Sequence, residues 1–217
     1  MSLTGRHRLR ITFAREETIK YISHLDLARA WERALRRAGV PLAYSQGFNP
    51  RPKMAFAAAL PVGYISSAEV VDVFLEKPLS PLDLAHRLTS VLPSGLRVIS
   101  IEEVEPGLPV LQSQVRAAEY RVSVVWKGDR ADLEARVAAL LAATTLPRER
   151  MHKSRRRAYD LRSLVEALRI EAESADGYRL WMRLSHGSEG TARPEDVLDA
   201  LGLADVPFSV ERTALRV

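Results

Sequence analysis

Residues 23–39 read "SHLDLARAWERALRRAG". The stretch opens on Ser23, a residue whose hydroxyl can accept from the orphan amides of a first helical turn, with Asp26 three places on in the manner of a capping box. It ends on Gly39, suited to the left-handed turn that stops a helix. Leu25, Ala28, Trp31, Leu35 and Ala38 are read as the buried stripe of this helix, and Arg29, Arg33, Arg36 and Arg37 as its outer side.

Working outward, "RLRITF" (8–13) alternates apolar and polar residues, the period of a half-buried strand, with Leu9, Ile11 and Phe13 on one face. Beyond the helix, "KMAFAAALPVG" supplies a second strand and "AEVVDVFLE" (68–76) a third. "SPLDLAHRLTSVLPSG" begins with a serine cap and a proline at the first helical position, so it reads as a second helix. "LRVISIEEV" closes the half as a fourth strand. The order β-α-β-β-α-β predicts a ferredoxin-like split βαβ unit over residues 1–106.

"EPGLPVLQSQ" (105–114) has no period and reads as a linker. The pattern then repeats over 115–217: strand "AEYRVSVVW", helix "DRADLEARVAALLAA" capped by Asp129, a broken strand region in "PRERMHKS…YDLRSLV", strand "GYRLWMRLSH", helix "RPEDVLDALGL" and strand "FSVERTALRV". The expected fold class is therefore α+β, two ferredoxin-like halves in tandem.

Composition narrows the chemistry. The 217 residues include no cysteine, which excludes disulfides, thiolate nucleophiles and cysteine-held zinc or iron–sulfur clusters. The five histidines are scattered without metal-ligand spacing, and no cofactor is expected. No apolar run approaches the roughly 18 residues of a membrane span, and the start "MSLTGRHRLR" has no apolar signal region. The expectation is a cytoplasmic protein with no membrane contact.

The net charge is +5, and one segment accounts for it. Residues 148–162, "RERMHKSRRRAYDLR", carry seven Lys/Arg against Glu149 and Asp160. Lys153, Arg155, Arg156 and Arg157 supply phosphate-pairing charge, and Tyr159 a ring for base stacking. Five side chains of the run, each neutralising one phosphate of a single strand, would give a salt slope of roughly −3.5. RNA is the expected partner, of transfer or ribosomal class.

A second candidate is "YSQGFNPRPK" (44–53). Its two prolines exclude helix and interior strand. Tyr44 and Phe48 offer rings, Arg51 and Lys53 charge, and Gly47 a close backbone approach. The same loop also suits docking of a protein. A third is His24, in the first turn of the first helix, where it either helps cap that turn or acts as a general base. With Lys53 and Tyr44 it would make a metal-independent endoribonuclease. A fourth is the strand 178–185, on which Arg179, Trp181 and Arg183 share a face.

The run "YISHLDLARAWERALRRAGVPLAYSQGFNPRPKMAFAAALPVGYISSAE" resembles the bacterial radical SAM-linked protein family, a domain found alone or fused behind a B12-binding radical SAM domain. "SHLD", "YSQGFNPRP", "LPVG" and, more weakly, "YDLR" carry the resemblance, from about residue 8 into the 160s. It implies a radical SAM protein as partner and a setting of RNA processing, and supplies no catalytic residues. This chain lacks the three cysteines of such a cluster, so the resemblance implies a non-catalytic, RNA-binding or substrate-presenting role. The doubled pattern is also similar, at the level of architecture, to CRISPR repeat-processing endoribonucleases.

Overall fold

The computed structural model describes residues 7–152, 155–187 and 190–217. Among them are five α-helices, and the strand pairs within each unit are antiparallel. None of these helices is long and apolar enough to cross a membrane. The chain forms two compact units, residues through Val115 with Val217, and Arg116–Arg216.

The first unit runs β1 (His7–Arg15), α1 (His24–Arg37), β2 (Met54–Phe56), β3 (Ile65–Leu75), α2 (Pro81–Thr89), β4 (Leu96–Glu103) and α3 (Leu111–Gln114). Its sheet is ordered β4-β1-β3-β2. Alternation puts Leu9, Ile11 and Phe13 of β1 under the helices with Val71 and Val73 of β3, against Trp31 and Leu35 of α1 and Leu84 and Leu88 of α2. Phe13 meets Trp31 edge-on at 4.9 Å. The serine caps form as expected: Ser23 accepts from the Asp26 amide, and Ser80 from that of Asp83.

The buried stripe of α1 differs from the sequence reading. Leu27, Trp31, Ala34 and Leu35 are buried, whereas Leu25 is exposed. At about 100° per residue, Leu25 points about 120° away from Trp31, while Leu27 and Leu35 stay within about 40° of it.

The segment expected to be a linker packs on the first unit. On the sheet face away from the helices, Arg10 donates twice to Asp72, at 2.8 and 3.1 Å. Beside it Arg8 donates to the carbonyls of Pro109 (3.2 Å) and Leu108 (3.3 Å). Leu111 is buried and α3 packs on β2. A strap held by single apolar anchors and backbone acceptors has no period to read.

The second unit runs β5 (Ala117–Val124), α4 (Arg130–Ala142), β6 (Pro147–His152), β7 (Arg155–Asp160), β8 (Val165–Ser174), β9 (Gly177–Gly187), β10 (Gly190–Thr191), α5 (Pro194–Ala200) and β11 (Phe208–Arg216). Its sheet is ordered β8-β9-β5-β11, with β10 also on β9. Tyr178, Leu180, Met182 and Leu184 of β9 are buried along one face. The turn between β8 and β9 requires Gly177: its φ is +146°, and a Cβ there would lie 2.1 Å from the Val124 carbonyl oxygen.

Here too the reading is corrected. The basic run is not part of the main sheet; β6 and β7 pair with each other as a separate hairpin, and the sheet's edge strand is β8. Register shifts between Val165 and Ala167 and between Ile170 and Ala172 break the period of two in β8, which hid it as a strand.

Candidate nucleic-acid interface

The β6–β7 hairpin sorts the basic run into two populations. Directly paired residues share a face, so Arg148, Tyr159, Arg150 and Arg157 line one side, and Glu149, Ala158 and Arg156 the other. Arg150 is ion-paired with Asp196 and donates to the Thr191 carbonyl at 3.0 Å. Arg148 lies 3.4 Å from Asp199. At the base, the Asp160 carboxylate accepts from the Leu146 amide (2.7 Å) and the Arg162 amide (3.0 Å). Arg162 turns inward, donating to the carbonyls of Leu141 (3.1 Å) and Val165 (2.8 Å) near the end of α4. These three arginines build the hairpin's footing.

Arg156 and Arg157 are exposed. The carboxylate facing Arg156 is Glu149, 3.4 Å away and itself exposed, a pairing worth at most about 1 kcal/mol in water. Arg155 is described through its backbone pairing with His152, and Lys153 lies outside the described residues. Tyr159 sits under Arg150, the guanidinium 5.0 Å from its ring centroid. Burial pushes its phenol pKa up, Asp196 adds to that, and Arg150 opposes it. The ring is thus part of the footing rather than a bare stacking face.

The 43–53 loop closes as a ladder of its own. The Lys53 amide donates to Ala43 (2.7 Å), and the Ser45 amide to Arg51 (2.8 Å). The Arg51 amide in turn donates to the Ser45 hydroxyl at 3.0 Å. Arg51 is exposed and Lys53 half-buried. The two rings separate: Phe48 at the tip is fully in solvent, while Tyr44 is half-buried with the Arg36 guanidinium 5.8 Å from its centroid. Gly47 beside Phe48 has φ +130°, which lets the tip fold back.

His24 begins α1, and its ring meets Phe56 edge-on at 5.1 Å. Phe56 in turn contacts Phe13 at 6.4 Å, so the imidazole joins the rim of an aromatic cluster. No contact between this ring and Tyr44 or Lys53 is seen among the described residues.

Of two further features, the Trp181–Arg183 face was read in part from the sequence and the other was not legible as a site. Trp181 carries the Arg169 guanidinium at 3.7 Å and that of Arg183 at 5.5 Å. Arg169 lies on β8 directly opposite Trp181, and the sequence reading lacked that strand. On the same face Glu119 accepts from Arg183 (2.9 Å) and Arg216 (2.6 Å). Desolvation pushes the Glu119 carboxyl up, but the hydrogen bonds and charges of Arg216 and Arg183 outweigh it and hold its pKa below the usual range. The second feature is a groove beside α1 lined by Ala30, Arg33, Arg36, Arg37 and Pro93.

The chain that carries these α+β units and arginine-bearing surfaces falls in a known sequence family. It belongs to the family described as an uncharacterized protein conserved in bacteria (DUF2344), which matches residues 8–194. No curated protein matches it in sequence. In fold it is similar to a chain in the crystal structure of a Cbf5–Nop10–Gar1 complex, with a TM-score of 0.53 and 10% identity. The alignment covers 95% of this chain and 48% of that one, so this chain spans about half the length of its structural relative. Fainter likenesses reach an archaeal box H/ACA sRNP Nop10–Cbf5 complex (TM-score 0.48, 11% identity, 94% of this chain and 46% of that one). Another is an H/ACA RNP bound to a substrate RNA containing 2′-deoxyuridine (0.43, 11%, 87% and 43%).

Proposed function

We propose that this protein is a non-catalytic RNA-binding protein that holds a structured RNA, of transfer or ribosomal class, for a radical SAM modification system in the cytoplasm. The observation that carries the reading is the division of labour in the basic hairpin. Arg148, Arg150 and Arg162 fix its base, while Arg156 and Arg157 stand in solvent. A footed strand pair that offers exposed guanidinium groups, Arg157 and an Arg156 only weakly paired with Glu149, suits phosphate oxygens, and a solubilising run needs no such footing.

The exposed Phe48 and Arg51 add a ring and a charge in the first unit. The radical SAM partner rests on the resemblance of the first half to the radical SAM-linked family. On the same reading the units are tandem ferredoxin-like repeats over 1–106 and 115–217, which the parallel strand orders β4-β1-β3-β2 and β11-β5-β9-β8 support. The fold likeness to the Cbf5–Nop10–Gar1 chain is compatible with this and identifies no ligand.

The test is a binding titration with cellular transfer RNA in EDTA, at several salt concentrations, on wild type and Arg156→Ala/Arg157→Ala. The double variant should bind more weakly and with a salt slope shallower by about 1.4 to 1.8. Equal affinity and slope for the two proteins would refute the hairpin as the site. The radical SAM partner is tested separately, by retention of this chain on a tagged radical SAM protein from the same cell.

A further inference from the structure

We infer that the groove beside α1 is a second phosphate-binding site, built to hold the sugar–phosphate backbone of a single-stranded RNA segment whose base reaches Phe48. The inference rests on the RNA-binding reading and places a contact where neither the basic run nor its hairpin lies.

Helical spacing gathers Arg33, Arg36 and Arg37 along one flank at the C-terminal half of α1. The carbonyl end of a helix favours cations, which stabilises the guanidinium groups where they stand. Pro93, between α2 and β4, forms the facing wall, and Ala30 leaves the floor open. The result is a concave basic surface rather than a convex charged helix face.

The walls are held. Arg37 Nη2 donates to the Val91 carbonyl at 2.6 Å. Arg36 Nη2 is paired with Glu32 at 2.8 Å and its guanidinium rests on Tyr44. Beyond the helix end, Arg87 donates to the Gly39 carbonyl at 2.9 Å. Each anchored guanidinium keeps further N–H donors, because the group carries five in a fixed fork. Arg33 is exposed and forms no ion pair among the described residues. One carboxylate, Glu32, thus stands against three arginines.

Arg36 also joins the groove to the 43–53 loop. Its contact with Tyr44 places the arginine row at the root of the ladder whose tip bears Phe48 and Arg51. Guanidinium groups at the base and a bare ring at the tip are what a single strand asks for: phosphates bound in sequence, then a base splayed onto an aromatic face. Duplex RNA would offer no splayed base.

The experiment compares wild type, Arg33→Ala/Arg36→Ala and Arg156→Ala/Arg157→Ala on a 12-nucleotide oligouridylate. Arg33→Lys/Arg36→Lys serves as the charge-preserving control, and circular dichroism melts confirm that each variant is folded. The α1 double alanine variant should lose roughly tenfold to a hundredfold in affinity at about 50 mM salt, with a slope shallower by about 1.4, and the lysine variant should keep the slope. Wild-type affinity and slope in the α1 alanine variant, with loss in the hairpin variant, would overturn the groove and leave the RNA-binding reading standing. Salt-insensitive or absent binding by wild type would overturn both.

Discussion

Arg150 of the basic hairpin is ion-paired with Asp196 in the first turn of α5. The same carboxylate accepts the Arg193 amide at 3.0 Å, so one side chain caps a helix and moors a hairpin. Three of the seven basic residues of the run, Arg148, Arg150 and Arg162, are held by partners within the second unit in this way.

A first prediction follows from that mooring. Asp196→Ala should lower stability by about 1–3 kcal/mol, through loss of the cap and of a partly buried charge partner. It should not weaken RNA binding at temperatures where the variant is folded, because Arg150 is released rather than removed. Thermal melts and the binding titration check the two halves; a large loss of affinity in a folded variant would make the hairpin's orientation limiting.

Phe48 separates stability from binding. Fully exposed, it contributes little to the fold, and Phe48→Ala should change stability by less than about 0.5 kcal/mol. If its ring receives a base, affinity for oligouridylate should fall by about 1–3 kcal/mol with the salt slope unchanged, since no phosphate contact is lost. A shallower slope would mean the loop acts by charge instead.

Glu119 sets an acid sensitivity for the second unit. Its folded pKa is depressed, so its contribution is fully present above the unfolded value of about 4.3 and is lost as pH falls through the lower folded value. Glu119→Gln should therefore flatten the acid side of the stability curve below about pH 4.3. At neutral pH it should cost about 1–2 kcal/mol, less than for a fully buried pair because Arg216 is more than half exposed. Melting temperatures of wild type and variant from pH 3 to 7 decide this.

What was legible in the sequence followed from periodicity and caps. Leu9, Ile11 and Phe13 alternate without interruption, and Ser23, Ser80 with Pro81, and Asp129 mark helix starts that the structure reproduces. What was not legible is tertiary. The bulges of β8 broke its alternation, and the strap at Leu108–Leu111 is recognised by Arg8 through backbone carbonyls that any residue carries. In the basic run, the alternation of a hairpin decides which arginines face Asp196 and Asp199, and those partners lie about fifty residues away. Arg33, Arg36 and Arg37 read as an ordinary solvated helix side, because Pro93, which makes their surface concave, belongs to a distant turn.

On the RNA-binding proposal, this chain binds RNA through charge and leaves it intact. The most direct measurement is the affinity of wild type for cellular transfer RNA between about 50 and 300 mM salt in EDTA, with the RNA run on a gel afterwards. Three to five phosphate contacts predict a log–log slope of about −2 to −4 and full-length RNA. Binding that is absent or indifferent to salt would contradict the claim. So would shortened RNA whose cleavage disappears in His24→Ala, which would make the imidazole at the head of α1 a catalytic residue.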